Sequence, residues 1–208
     1  MMGVYELQYK KDGIKEKIDV AALEVFAEKG YKGAKISDIG ERAGVSVGNI
    51  YRYYNSKADI FYENIGEDFI KEAKRLLAEK IAVMEGKDLI PEGHQEEFWL
   101  ANEEVISFML ENRHKMIIVF GRSEGTVYEN AKEEQVSYII GKVGESIAPQ
   151  PVEPAAAIVY RSLIDMVLNI LSASADHAVI REHLHMVNMY HLFGITGLLS
   201  HKAKKANK

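Results

Sequence analysis

The residues best suited to chemistry lie between Ala43 and Tyr54, in the stretch AGVSVGNIYRYY. Gly44 can take the left-handed conformation that ends one helix. Ser46 can cap the next by accepting from its exposed N–H groups. On a helical wheel over 47–54 with Ile50 turned inward, Tyr54 falls on the same side, as does Val47 to a lesser degree. Gly48, Asn49 and Arg52 fall opposite, and Tyr51 and Tyr53 flank them. That outer face carries groups for contact rather than for bond-making. Gly48 allows close backbone approach, Asn49 can pair with an adenine edge, and Arg52 can reach a guanine edge or a phosphate. Tyr51, Tyr53 and Lys57 suit phosphate oxygens, which set position rather than sequence. Val47 would either touch a thymine methyl or merely pack. A short helix after a tight turn, packed across another short helix, is a helix-turn-helix, whose second helix enters the major groove of DNA.

Charge supports this reading once it is resolved along the chain. The net charge is −5. Residues 1–57 carry +2 and residues 58–208 carry −7; within 29–57 six basic residues face two acidic ones. Positive charge therefore gathers around the helix-turn-helix, as a phosphate-facing head on an acidic body requires.

Other chemistries find less support. The chain has no cysteine, which excludes disulfides and thiolate metal sites and fits a reducing compartment. The stretch HLHMVNMYH (183–191) holds three histidines, but His183 and His185 point to nearly opposite sides of a helix, and His183 and His191 lie two turns apart. No HExxH motif is present, so neither a metal nor a cofactor is expected. An enzyme using a cavity in the body is the rival class; it lacks a cysteine nucleophile, a phosphate-binding glycine loop and a recognisable acid–base constellation. A helix-turn-helix adaptor that docks onto protein is the second rival. The opening MMGVYELQYKK lacks the apolar run of a secretory signal, and no apolar stretch approaches the ~20 residues of a membrane span. A cytoplasmic protein is expected.

The elements that position these residues are helices, because apolar residues recur at helical spacing and alternating patterns are scarce. Ile14, Ile18, Ala22 and Val25 form one stripe, ending before Lys29-Gly30. Ile36, Ile39 and Ala43 form a second, ending at Gly44, and the third helix runs from Ser46 to about Tyr54. Asn55-Ser56 offers a cap for a long fourth helix to about Met84, with Ile60, Ile65, Phe69, Leu76 and Leu77 turned inward. A linker (85–94) precedes a helix at 92–111, with Pro91 as a plausible first residue. Helices at 114–120, 126–147, 153–173 and 177–199 follow, and the basic tail HKAKKANK (201–208) is expected to fray.

Residues 30–61, GYKGAKISDIGERAGVSVGNIYRYYNSKADIF, resemble the TetR family of transcriptional repressors. The Gly-aromatic opening, the Ile-Gly-x-x-Ala-Gly-Val-Ser turn, the Gly-x-Ile-Tyr-x-Tyr-Tyr helix and the Ser-Lys-x-x-Ile-Phe start of the fourth helix share its order and spacing. Two departures stand out: Lys35 occupies a cap position that usually holds Thr or Ser, and Gly40 replaces a usual Ala. Both should weaken the second helix, Gly by roughly 1 kcal/mol.

The resemblance implies an all-α fold. A three-helix DNA-binding domain (1–56) precedes a helical ligand-binding and dimerisation domain (57–200) and the basic tail (201–208). It implies DNA contacts from Ser46, Val47, Gly48, Asn49, Tyr51, Arg52, Tyr53 and Lys57, on a palindromic double-stranded operator. It also implies a small, apolar effector that releases DNA, bound among residues drawn from Phe98, Trp99, Phe108, Met109, Met116, Phe120, Tyr128 and Met166. Such large apolar side chains either fill a core or line a pocket. A homodimer is expected through 153–173 and 177–199, where Ile158, Leu163, Val167, Ile170, Leu184, Val187, Leu192, Ile195 and Leu198 exceed what one buried face needs.

Overall fold

The computed structural model describes the backbone of residues 2–84, 95–147 and 153–206, and the side chains of 13–76, 103–141 and 157–191. Among the described residues there are helices and no strands. They are α1 (Met2–Gly33), α2 (Ile36–Ala43), α3 (Val47–Ile50), α4 (Lys57–Asn64), α5 (Glu67–Met84), α6 (Gln95–Glu111), α7 (Arg113–Gly121), α8 (Ala131–Ile147), α9 (Glu153–Ala173) and α10 (His177–Ala206). The linker with Pro91 lies outside the described residues.

Two compact units result. The first comprises 1–72 and 114–130; the second comprises 73–113 and 131–208. The head thus includes α4, most of α7 and the turns that follow it, a grouping no local pattern announces.

The head's core is built by the expected stripes: Ile18, Ala22 and Val25 of α1, Ile39 of α2, Ile50 of α3, and Ile60 and Phe61 of α4 are all buried. Phe61 sits edge-on to Phe26 and Tyr31, with ring centres 5.4 and 4.8 Å apart. Gly30, at φ 74° and ψ 160°, breaks α1 near its end. The break lets Tyr31 N donate to Arg122 O at 3.0 Å, while Arg122 Nη1 donates to Glu28 O at 2.6 Å. A residue with a side chain would be strained at that φ.

The long fourth helix expected from 56 to 84 is instead two helices. Ile65 leaves helical geometry at φ −113° and ψ 75°, and Gly66 follows before Glu67 and Asp68 open α5. The cause is local. Asn64 turns its amide back to Ile60 O at 2.8 Å and ends the helix, as side-chain competition for backbone groups does. Ile65 stays fully buried across the break, and Phe69 and Leu76 beyond it are buried as well. At the other end of the chain, the backbone is helical through Ala206, so the basic tail continues α10 rather than fraying.

In the second unit α8 packs on α9. Val136, Ile139 and Tyr160 form the buried centre, with Ile140, Ala157, Leu163 and Ile164 around it. Arg161 Nε donates to Glu133 Oε1 at 3.0 Å, and Lys132 pairs with Asp165 at 3.0 Å, fixing the register of the two helices. On α6, Glu103 pairs with Arg181 and lies 3.2 Å from His185, both on α10.

Candidate nucleic-acid interface

The corner forms as its residue types require. Gly44 adopts the left-handed conformation at φ 67°, its N–H donating to Glu41 O at 3.2 Å, and Val45 N donates to Gly40 O at 2.9 Å. Ser46 Oγ accepts from Asn49 N at 3.2 Å and caps α3. The regular helix stops at Ile50, but hydrogen bonds from Tyr51, Arg52, Tyr53 and Tyr54 N–H groups to carbonyls three or four residues back carry the coil to Tyr54.

The exposure pattern follows the wheel. Ile50 and Tyr54 are buried; Val47 is 38% and Tyr51 53% exposed; Gly48 and Arg52 are exposed; Asn49 and Tyr53 are half-buried. A Cβ added at Gly48 would meet nothing within 4 Å, so that side of α3 opens outward.

Three features were not visible in the sequence. The first concerns Gly40, where an added Cβ would lie 2.8 Å from the Val45 carbonyl oxygen. The glycine is therefore a condition of the close turn. The second concerns Lys57. Its ammonium donates to Tyr31 O at 2.7 Å and Ala34 O at 2.9 Å and lies 4.5 Å from the centre of the Tyr31 ring. Burial holds its pKa below the ordinary lysine value. The residue expected on a groove wall thus also ties the start of α4 to the α1–α2 corner, with two of its three donors so used.

The third is the fate of the local positive charge. Lys29 pairs with Asp38 at 3.1 Å, Lys32 with Glu124 at 2.7 Å, and Arg42 with Glu24 at 3.2 Å and Glu28 at 2.6 Å. Among the described residues Lys35 and Arg52 make no such close ion pair, although Lys35 lies near enough to Asp38 to add to the positive charge around it. Lys35 cannot accept a hydrogen bond, so α2 has half of a reciprocal cap: Asp38 Oδ2 accepts from Lys35 N at 3.0 Å. That bond, with Lys29 beside it, holds the Asp38 carboxyl below the ordinary carboxylate range.

The candidate effector residues divide between the units. Phe108, Met109 and Met166 are half-buried in the second unit, while Met116 is buried and Phe120 half-buried in the first. Tyr128 belongs to the head, where it packs with ring centres 6.2 Å from Tyr62 and 6.4 Å from Phe61. The side chains of Phe98 and Trp99 lie outside the described residues. A shallow recess runs along α10, lined by Ala178, Arg181, Glu182, His185, Met186 and Met189, and none of the expected effector residues lines it. Among the described residues no group of three His, Asp or Glu side chains could hold a metal. His185 faces Glu103, and the His191 ring lies tilted against Tyr160 with ring centres 5.2 Å apart. No described helix is long and apolar enough to cross a membrane.

For the dimer candidates, Leu184 is turned into its own unit and Leu163 packs around Tyr160. Ile158 on α9 and Val179, Met186 and Tyr190 on α10 are exposed instead. The last three, at i, i+7 and i+11, lie on one face of their helix. Leu192, Ile195 and Leu198 have side chains outside the described residues.

Residues 18–63 match the family model described as "Bacterial regulatory proteins, tetR family". The fatty acid metabolism regulator protein of Bacillus subtilis is 38% identical over 78 residues, 36% of this chain and 40% of that one. The uncharacterized HTH-type transcriptional regulator YvdT of the same organism is 35% identical over 106 residues, 50% of this chain and 48% of that one. The chain thus spans less than half the length of the curated relatives it matches. A TetR-like transcriptional regulator from Rhodococcus sp. RHA1 aligns over 87% of this chain and 96% of its own, at 16% identity and TM-score 0.48. The transcriptional regulator FadR from B. subtilis, solved in complex with stearoyl-CoA, covers 83% and 96%, at 20% and 0.42. The match to the tetR family of bacterial regulatory proteins thus lies on the head, over the residues that hold the capped corner and the short helix described above.

Proposed function

We propose that the chain is a homodimeric repressor that reads a palindromic operator with α3 and leaves it when a small, largely apolar effector binds the body. The observation that carries the DNA reading is the two-sided α3. Ile50 and Tyr54 are locked inward, while Val47, Gly48, Tyr51 and Arg52 are exposed, and a Cβ at Gly48 would meet nothing within 4 Å. Asn49 and Arg52 would read base edges, Gly48 would let the backbone approach, and Tyr51, Tyr53 and Ser46 would touch phosphates. Val47 lies at the outer start of the helix, where a thymine methyl is within its reach. Lys57 would add one donor while holding α4 in place.

The exposed stripe of Val179, Met186 and Tyr190, with Ile158 on the neighbouring helix, supports a second copy on α9 and α10. The effector reading is supported by the half-buried Phe108, Met109 and Met166 in the second unit. A fatty-acid derivative is the class to assay first, because one curated relative is a fatty acid metabolism regulator. Release would follow from differential affinity. A compound favouring a pose in which the two heads no longer fit half-sites about one helical turn apart lowers operator affinity, and operator lowers its affinity equally.

The test starts with selection of duplex DNA from a random pool by the purified protein. Enrichment of a two-fold symmetric sequence is expected, with expression from a reporter carrying it falling when the protein is present. Candidate compounds are then screened for both thermal stabilisation and operator release. Failure to enrich any sequence would refute the DNA reading. A compound that stabilises the protein yet leaves operator affinity unchanged would refute the switch.

A further inference from the structure

One carboxylate in the head receives donors from three parts of the fold. Asp19, on α1, accepts the Tyr54 hydroxyl on Oδ1. Asn64 Nδ2, at the end of α4, donates to the same oxygen at 3.2 Å, and Lys15 Nζ donates to Oδ2 at 2.9 Å. Lys15 also reaches Glu63 Oε1 at 2.8 Å and lies 5.2 Å from the centre of the Tyr54 ring. Tyr54 is 3% exposed, and its N–H closes the last turn of the recognition segment on Ile50 O at 3.1 Å. Asn64 is itself anchored to Ile60 O. Tyr54 and Asn64 lie away from the outward face of α3.

We infer that Asp19 is a positioning residue for DNA reading: by holding Tyr54 and Asn64 on one carboxylate, it sets the pose of α3 against α1 and α4. The reason lies in the size of α3. A segment of eight residues, of which only Val47–Ile50 are regular helix, is too short to fix its own direction through internal hydrogen bonds. Its start is held by the Gly44 turn and the Ser46 cap. Its middle is held by Ile50, an apolar contact that resists withdrawal but is non-directional. Direction at the far end must come from a bond with an angular preference, and the Tyr54 hydroxyl supplies one. A phenylalanine at this position would fill the same space and leave the end of α3 without that restraint.

The inference rests on the DNA-binding reading, and the experiment separates the two. The probe is the duplex that the wild-type chain enriches from a random pool. Operator affinity is measured for Tyr54→Phe, Asp19→Ala, Asp19→Asn, Asn64→Ala and the Tyr54→Phe/Asp19→Ala double variant, at a temperature where circular dichroism shows each fully folded. Tyr54→Phe and Asp19→Ala are each expected to weaken operator binding about tenfold, as loss of roughly one directed hydrogen bond would. The double variant should lose no more than the weaker-binding single, because both remove the same bond. Asp19→Asn keeps an acceptor oxygen and should recover most of the affinity. Backbone amides of 51–54 should exchange faster in Tyr54→Phe while those of α1 keep their rates, a change that a general loss of stability would not confine to α3.

A fully folded Tyr54→Phe that binds the selected duplex as tightly as wild type overturns the inference and leaves DNA binding intact. If Tyr54→Phe does not fold, Asn64→Ala decides in its place by the same measurement. A wild-type chain that enriches no duplex overturns the DNA reading and the inference together.

Discussion

Replacing Gly40 by alanine sets two effects of opposite sign against each other. Alanine in a helix is favoured over glycine by roughly 1 kcal/mol, so a helix-propensity argument expects Gly40→Ala to stabilise α2. The new Cβ, however, would lie 2.8 Å from Val45 O, with Ile50 Cδ1 at 3.5 Å and Val47 Cγ2 at 3.8 Å behind it. Relief requires a shift of several tenths of an ångström. The blocking atom is backbone, and the Val45 N–H is bonded to Gly40 O at 2.9 Å, so the turn cannot open without loosening its own hydrogen bond. Overpacking of this kind costs about 1–3 kcal/mol. Set against the propensity gain, a net loss of about 1 kcal/mol is expected. Gly48→Ala is the control, because a Cβ there meets nothing within 4 Å and the exposed helix should gain up to about 1 kcal/mol. Urea unfolding followed by circular dichroism reads both variants. In operator binding Gly48→Ala should lose affinity despite its greater stability, since its Cβ would stand where the groove comes close. Gly40→Ala proving more stable than wild type would refute the steric account. Gly48→Ala binding operator undiminished would refute the close approach at that position.

Lys57→Met should lower head stability by roughly 2 kcal/mol without any DNA present, because two carbonyls lose a charged donor; an unchanged melting temperature would leave Lys57 with phosphate contact as its sole role. The slope of log Kobs against log salt should be near −4 for a dimer using Lys35 and Arg52 in each head, at about −0.9 per phosphate neutralised. A slope near −11 would show that Lys29, Lys32, Arg42 and Lys57 also exchange their protein partners for phosphates. The Asp38 carboxyl is held low in the fold, so its contribution is present above its ordinary pKa of 3.8 and lost as pH falls below it. Asp38→Asn should therefore flatten that part of an acid-unfolding profile, and an unchanged profile would discount the cap on α2. Tyr190→Glu places a charge on the exposed stripe of α10 and should give a monomer at micromolar concentration in analytical ultracentrifugation; a dimer persisting there would move the interface elsewhere.

Features set by nearest neighbours along the chain were legible in the sequence. The Gly44 turn, the Ser46 cap and the inward Ile50 and Tyr54 depend on residues within four positions of one another, where turn chemistry and helical period operate directly. The break at Ile65 was not legible. Ile60, Ile65, Phe69 and Leu76 read as one continuous stripe, and all four are indeed buried, so periodicity survives a break that the Asn64 side chain imposes. Asparagine before Ile-Gly was the available signal, since its amide competes for helix carbonyls and glycine readily follows a stop.

The charge of the head shows most clearly where local reading ends. Six basic residues against two acidic ones between 29 and 57 suggested a strongly positive surface, but that count admits only carboxylates nearby in sequence. The fold brings Glu24 and Glu28 to Arg42 across 18 and 14 positions, and Glu124 to Lys32 across 92. Phosphate attraction is thereby concentrated on Lys35 and Arg52, at the start of α2 and beyond the end of α3. A diffuse positive field would hold DNA in many registers. Two cations that make no close ion pair among the described residues, one beside each helix of the motif, favour those registers in which α3 also meets base edges. With the field so reduced, the orientation of a four-residue helix must supply more of the discrimination. That places weight on the two ends of α3, the Ser46 cap and the Tyr54 hydroxyl, and it makes Asp19, 30 positions before Asn49, part of the apparatus that aims it.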